Sequence, residues 1–254
     1  MKIRYMSDLH LEFPWSSPDW LPSIGEDVVV LAGDIGVGVR GIRWATQAFR
    51  GRPVLYVLGN HEFYRHSWNS LVDQARAAAL GTNVHLLEQD SMEIGGVLFL
   101  GATLWTDFEL YGPALRIKSM IAGRDALADF QYIEGPDGHV LTPQASIDRH
   151  LLSVEWLHRE IEAASQPTVV ITHHSPSPAN EHPQYAGSDL GPCFHSNRED
   201  LFLPPVRLWI SGHTHHSCET QVNGILLLSN QRGYPREGVS FNWDAMVDVS
   251  GSLQ

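Results

Sequence analysis

The sequence predicts an α/β fold in which two packed sheets are flanked by helices. Three observations carry that reading. Short aliphatic, β-branched runs recur and end in small or polar residues; segments with helical apolar spacing lie between them; and glycine-bearing hairpin turns punctuate a further set of β-rich stretches. Val28-Val29-Val30-Leu31-Ala32 runs into Gly33-Asp34, and Val54-Leu55-Tyr56-Val57-Leu58 into Gly59-Asn60-His61. Ser67 to Leu80 then sets Leu71, Val72, Ala75, Ala78 and Ala79 at helical spacing. A longer helix opens on Thr142 as cap with Pro143 at the first helical position. It places Ile147, Leu151, Val154 (with Leu152) and Leu157 to Ile161 along one stripe, to about Ala164. Thr168-Val169-Val170-Ile171 ends in Thr172-His173-His174, and Leu208-Trp209-Ile210 in Ser211-Gly212-His213. Unbroken apolar runs of this kind suit strands covered on both faces.

A second β-rich group comprises Val84 to Leu87, Ser91 to Leu100, Cys218 to Leu228 and Val239 to Val249. Gly95-Gly96 and Asn223-Gly224 within it read as hairpin turns. Two stretches, 107–141 and 175–205, fit neither sheet; they are expected to act as lid or site-lining insertions in a single domain spanning 1–254.

Composition narrows the function. Lys plus Arg number 17 against 29 Asp plus Glu, a formal charge of −12, which repels phosphate backbones and anionic lipid. No stretch approaches the roughly 20 apolar residues of a membrane span. The start, Met1 to Asp8, lacks the apolar core of a secretory signal, so a cytoplasmic protein with reduced Cys193 and Cys218 is expected. Oligomeric state is left open.

Five clusters carry the chemistry: Asp8-Leu9-His10, Gly33-Asp34, Gly59-Asn60-His61-Glu62, His173-His174 and Gly212-His213-Thr214-His215. Each follows an apolar run, so the sheets would bring them to one rim, where open α/β sheets place their sites. Read as extended strand, Asp8 with His10, and His213 with His215, project paired side chains into one pocket. Carboxylates, an amide and several imidazoles, with no thiolate, suit Mn, Fe, Zn or Co. Their number suits two ions, since one open zinc site needs only three protein ligands.

This ordered set, spanning residues 8 to 215 of the 254, resembles the calcineurin-like metallophosphoesterases. The resemblance implies a four-layer α/β/β/α sandwich and two divalent or trivalent transition-metal ions. By the same resemblance Asp8, His10 and His215 match the ligands of one ion. Asn60, His173 and His213 match those of the second, and Asp34 matches the bridging carboxylate; His174 stays open as the alternative to His173. His61 matches the family's general acid or charge stabiliser. Two ions roughly 3.5–4 Å apart would acidify a bridging water that attacks phosphorus in line. Glu62 and Asp107 are candidates to orient the ligand imidazoles.

Substrate is less legible. Serine/threonine protein phosphatases of this family carry Arg immediately before the Gly-Asn-His-Glu block, where this chain has Leu58. Arg232, Arg65, Tyr64 and His174 are candidate substrate contacts, and Trp105, Phe194 and Tyr234 candidate stacking or core residues. Of the remaining histidines, His182, His195 and His216 lie on loops placed to reach the site. A small phosphomonoester or phosphodiester, alternatively a cyclic or other nucleotide diester, is expected rather than a long nucleic acid or a membrane. A metal-free scaffold would have broken ligand positions; none is broken here.

Overall fold

In the computed structural model, which describes residues 1–14 and 17–249, the apolar runs form the strands of two mixed sheets. Strands β1 (Lys2–Met6) and β2 (Val28–Ala32) are followed by helix α1 (Arg40–Ala48), β3 (Val54–Val57), helix α2 (Trp68–Ala79) and β4 (Val84–Leu86). The hairpin β5 (Asp90–Ile94) and β6 (Val97–Ala102) turns on Gly95 and Gly96, both at positive φ. Helices α3 (Arg116–Ala126), α4 (Asp129–Tyr132) and α5 (Pro143–Ala163) precede β7 (Thr168–Thr172). The short α6 (Gly191–Phe194) precedes β8 (Val206–Ile210), the hairpin β9 (Glu219–Val222) with β10 (Ile225–Leu228), and finally β11 (Met246–Asp248).

The first sheet runs β11-β1-β2-β3-β4 and the second β5-β6-β7-β8-β10-β9, with antiparallel pairing only at β11, β5 and β9. Alternation along β2 shows why its run has no polar face. Val28, Val30 and Ala32 pack between the sheets against Phe99, Ile171 and Ile210. Val29 and Leu31 face outward onto Ile42 and Ala45 of α1 and Leu71 and Ala75 of α2. On the far side Leu100, Val170 and Trp209 meet Val154, Leu157 and Ile161 of α5. The layers are therefore α/β/β/α.

Thr142 caps α5 by accepting from the Ala145 amide, with Pro143 at the first turn. Leu151 and Leu152 are 53% and 52% exposed; the buried stripe instead passes through His150, which bonds the Leu104 carbonyl. Three further expectations need correction. β4 and β11 join the first sheet, and β7 and β8 the second, because apolarity marks a strand without naming its partner. Of 239–249 only Met246–Asp248 is strand. The 107–141 stretch holds two helices, and α3 lacked a signal because it buries only Ser119 and Gly123. Helix α1, with Ile42, Ala45 and Ala48 buried, was not anticipated.

Buried Arg4 on β1 reaches Asp244 at 2.8 Å and the Trp243 carbonyl, tying the segment before β11 to the sheet. It also meets Glu26, which Arg52 bonds from the other side. Burial opposes ionisation of Glu26, but its own and the Ile24 backbone amides, Ser23 and Arg52 outweigh this and hold its pKa at about 2, below the ordinary 4.5. A carboxylate depressed in the folded state stabilises above its unfolded pKa and loses that contribution as pH falls through the folded value. Glu26→Gln should therefore melt below wild type at neutral pH, the gap closing between about pH 4.5 and 2. A pH-independent gap in thermal melts would contradict this.

Among the described residues no helix is long and apolar enough to cross a membrane.

Candidate metal centre and substrate chamber

The carboxyl ends of five parallel strands converge on one rim. β1 leads to Asp8 and His10, β2 to Asp34, β3 to Asn60 and His61, β7 to His173, and β8 to His213 and His215. The pairs Asp8/His10 and His213/His215 are not extended strand, contrary to the simple alternation argument. They lie beyond the strand ends with φ of 54°, 48°, 71° and 48°, and Asp34 has φ 54°. Left-handed backbone at non-glycine residues is uncommon and concentrates at functional sites. Here it brings Asp8, His10 and His215, and Asp34 with His213, together past the strand ends.

Gly33 and Gly59 let these turns pack. Gly33 has φ +85° and a Cβ there would collide with the His173 ring; at Gly59 a Cβ would meet the Asp34 carboxylate and lie 2.8 Å from His173 Cε1. Gly59→Ala should push Asp34 and His173 apart, costing about 1–3 kcal/mol in thermal or denaturant unfolding. An unchanged midpoint would contradict that packing.

Three overlapping groups could hold cations, with candidate ligand atoms within 4.8 Å of one another: Asp8-His10-His215, His10-Asp34-His61 and Asp34-His173-His213. His10 Nε2 lies 3.0 Å from His215 Nε2, and His215 Nε2 3.5 Å from Asp8. His173 Nε2 lies 3.3 Å from Asp34 Oδ1 and 3.0 Å from Asn60 Oδ1. Asp34 Oδ2 is 3.9 Å from His10 and 3.8 Å from His61. The buried His213 Nε2 has no hydrogen-bond partner. Burial, then the neighbouring His174 and His173, push the His213 pKa well down, leaving the ring neutral. A neutral imidazole with an orphaned buried nitrogen, beside a carboxylate and a second imidazole, fits a transition-metal ion.

The surrounding groups hold these side chains. Burial raises Glu62 to about 7, helped by the Asp34 charge. Its oxygens accept from the amides of Asp34, Ile35, Gly36 and Gly59 and from the Tyr56 hydroxyl. Glu62 thus fixes the backbone under Asp34 and contacts no imidazole. Asp107 does not orient a candidate ligand either; it lies 3.6 Å from His150. The carboxylate at the imidazoles is Glu12, which the sequence reading missed. Its Oε1 is 3.1 Å from His10 Nδ1 and 2.8 Å from His61 Nδ1. Glu237 lies 2.6 Å from His215 Nδ1, and Asp129 accepts from Asn60 Nδ2 at 2.8 Å. His173 Nδ1 faces the Ala32 carbonyl at 2.9 Å.

A chamber of about 840 Å³ opens from this rim, sized for a small organic ligand. Residues 126–129 of the first insertion-like stretch and several between 181 and 195 of the second line it, including His182 and His195; His216 lines it too, its ring centroid 4.6 Å from that of His182. Tyr64 lines it too, stacked on His61 with ring centroids 4.2 Å apart. Other substrate-contact candidates do not reach it. Arg232 bonds Ser17 and lies over the Trp243 ring, because its strand-end loop directs it outward. Arg65 is exposed. His174 points its Nδ1 to the Thr103 carbonyl and stacks behind His213, so of the doublet it is His173 that meets Asp34 and Asn60. Trp105 is core, stacked on Trp68, whereas Phe194 packs on His213 at the chamber wall.

Comparison with known proteins matches residues 1–217 to the family model described as calcineurin-like phosphoesterase. The chain is 26% identical over 280 residues to an uncharacterized protein of Acanthamoeba polyphaga mimivirus, covering 99% of this chain and 98% of that one. It is 24% identical to the [acyl-carrier-protein] phosphodiesterase PptH of Mycobacterium tuberculosis, covering 91% and 78%. The crystal structure of that phosphopantetheinyl hydrolase superposes with a TM-score of 0.75 at 19% identity, over 100% of this chain and 97% of the other. A dimetal phosphatase from Danio rerio shares the fold with a TM-score of 0.56 at 14% identity, over 91% and 87%.

Proposed function

The chain belongs to the calcineurin-like phosphoesterase family, hydrolases of phosphoester bonds, and on that premise we propose that it is a two-metal hydrolase of small phosphoesters. The observation that carries this is Asp34, whose two oxygens face the two candidate clusters at 3.3 Å (His173) and 3.9 Å (His10). Asp8, His10 and His215 would hold one ion, Asn60, His173 and His213 the other, and Asp34 both. When bound, the two ions supply an acidified water and neutralise charge on phosphate oxygens.

The protein's own part is proton placement and positioning. Burial works against protonating His61, but the charge of Asp34 and the bond to Glu12 raise its pKa. With Nδ1 engaged by Glu12, Nε2 meets the Tyr234 hydroxyl at 2.8 Å at the chamber wall, and it is the nitrogen from which a proton would pass to the leaving oxygen. Tyr64 fixes the ring plane by stacking, and Asp129 keeps the Asn60 amide oxygen turned toward His173 by binding its nitrogen. The chamber then receives the organic arm of the substrate. Likeness to PptH supports a phosphopantetheinyl diester among the substrates, with nucleotide diesters the second class.

Metal affinity should depend steeply on pH. Burial lowers His173 and His215, but Asp34 for the first and Asp8 with Glu237 for the second lift them to about 9 and about 10. Both rings are protonated at pH 7 before loading, so ion binding must release protons and weaken as pH falls. Titrating metal into weakly buffered, chelator-stripped protein should acidify the solution; absence of proton release would contradict rings that are protonated before loading.

Activity is tested by stripping the full-length protein, reloading it with Mn, and assaying aryl phosphate, bis-aryl phosphate, nucleotides and a phosphopantetheinylated carrier protein. Turnover should vanish on chelation and return with two ions per chain by elemental analysis. Undiminished turnover without metal would contradict the proposal.

A further inference from the structure

Resting on the phosphoesterase reading above, we propose that Tyr234 contacts the reacting phosphate through its hydroxyl, and that the chamber consequently takes phosphodiesters in preference to phosphomonoesters. Tyr234 comes from the loop after β10, away from the strand ends that carry the candidate ligands. Its ring centroid nonetheless lies 4.6 Å from those of both His10 and His215. Its hydroxyl is 2.8 Å from His61 Nε2, the nitrogen assigned the proton transfer above. The ring is set in place from several sides. Its backbone amide donates to Glu237 Oε2 at 2.7 Å, the oxygen that also engages His215, and Phe13 packs edge-on at 5.4 Å. Gly233, at φ +70°, brings the loop so close that a Cβ there would lie 3.4 Å from the His215 ring. The hydroxyl therefore stands between the proton donor and the first cluster, at the chamber wall.

The charge around it decides the substrate. A phosphomonoester presents three non-bridging oxygens and two charges; a diester presents two, one charge, and an ester arm in the third position. Oxygens not neutralised by metal are ordinarily met by Arg or Lys. Among the described residues none lining this chamber is Lys or Arg, while Asp129, Glu181 and Glu237 do line it. Arg232 is engaged by Ser17 and Trp243. A neutral phenol donor beside the candidate clusters, in an acidic chamber of about 840 Å³ with no Lys or Arg among its described lining residues, suits a singly charged phosphate with an uncharged arm.

The test compares Mn-loaded wild type and Tyr234→Phe with bis(4-nitrophenyl) phosphate and 4-nitrophenyl phosphate. Wild-type kcat/KM should favour the diester by at least about tenfold. Loss of a hydrogen bond to a charged oxygen should cut diester kcat/KM in Tyr234→Phe by roughly ten- to hundred-fold. Metal content should stay unchanged, and inhibition by inorganic phosphate should weaken. A variant within twofold of wild type, or a wild-type preference for the monoester, would overturn the proposal alone. Lost turnover with unaltered phosphate inhibition would overturn it in favour of a role confined to positioning His61. A wild type inactive on both esters would overturn the phosphoesterase reading itself.

Discussion

Replacing Asp34 by Asn should remove metal and turnover together. Asn retains an oxygen to accept the His61 amide, now at 2.8 Å, so the loop after β3 keeps its anchor and the fold survives. What disappears is the charge. Burial disfavours the Asp34 carboxylate, yet the charges of His173 and His61 hold its pKa well below the ordinary carboxylate range, so it faces both clusters ionised. Stabilisation by bound ions is worth several kcal/mol, and each 1.36 kcal/mol is tenfold in rate. Turnover should fall on the order of a thousand-fold, with bound metal dropping below two ions per chain. Elemental analysis beside the kinetics checks both. An Asp34→Asn protein that keeps two ions would remove the shared-carboxylate assignment.

His61→Asn should behave differently. His61 also lies near Asp34 and His10, so geometry alone allows it as a ligand. Its Nδ1 bond to Glu12 and its stacking on Tyr64 favour an oriented proton donor. The variant should retain two ions while kcat falls by about 10²–10⁴, the usual range for general acid catalysis. The loss should be larger for alkyl than for nitrophenyl leaving groups, because a good leaving group needs no proton. Joint loss of metal and turnover would make His61 a ligand.

These contrasts rest on residues whose legibility in the sequence was uneven. Asp8, His10, Asp34, Asn60, His61, His173, His213 and His215 stood out because polar side chains of ligating type followed apolar runs, and parallel strands bring such ends together. Their backbone was not legible. Extended alternation is a property of strands, and these residues lie past the strand ends in left-handed turns. The carboxylates that orient them were missed. Glu12, Asp129 and Glu237 carry no local pattern; Asp129 comes from a segment read as an insertion, and Glu237 lies between the runs read as strands at 218–228 and 239–249.

Fold legibility divides the same way. β2, α5 and the two glycine-bearing hairpins follow from periodicity, capping and turn chemistry. The sharing of strands between sheets does not, because β3 to β4 and β6 to β7 are parallel neighbours joined through helical crossovers that no single strand's composition records. Arg232 and His174 show the limit for substrate contacts. Each is a plausible phosphate or hydrogen-bonding partner near the motifs, and each is turned to Ser17 or Thr103 by its own loop.

The central claim is that Asp34 joins two cation sites. Anomalous diffraction from Mn-loaded crystals tests it most directly. Two peaks should flank the Asp34 carboxylate, one against Asp8, His10 and His215 and the other against Asn60, His173 and His213. A single peak, or two peaks with Asp34 touching neither, would contradict it.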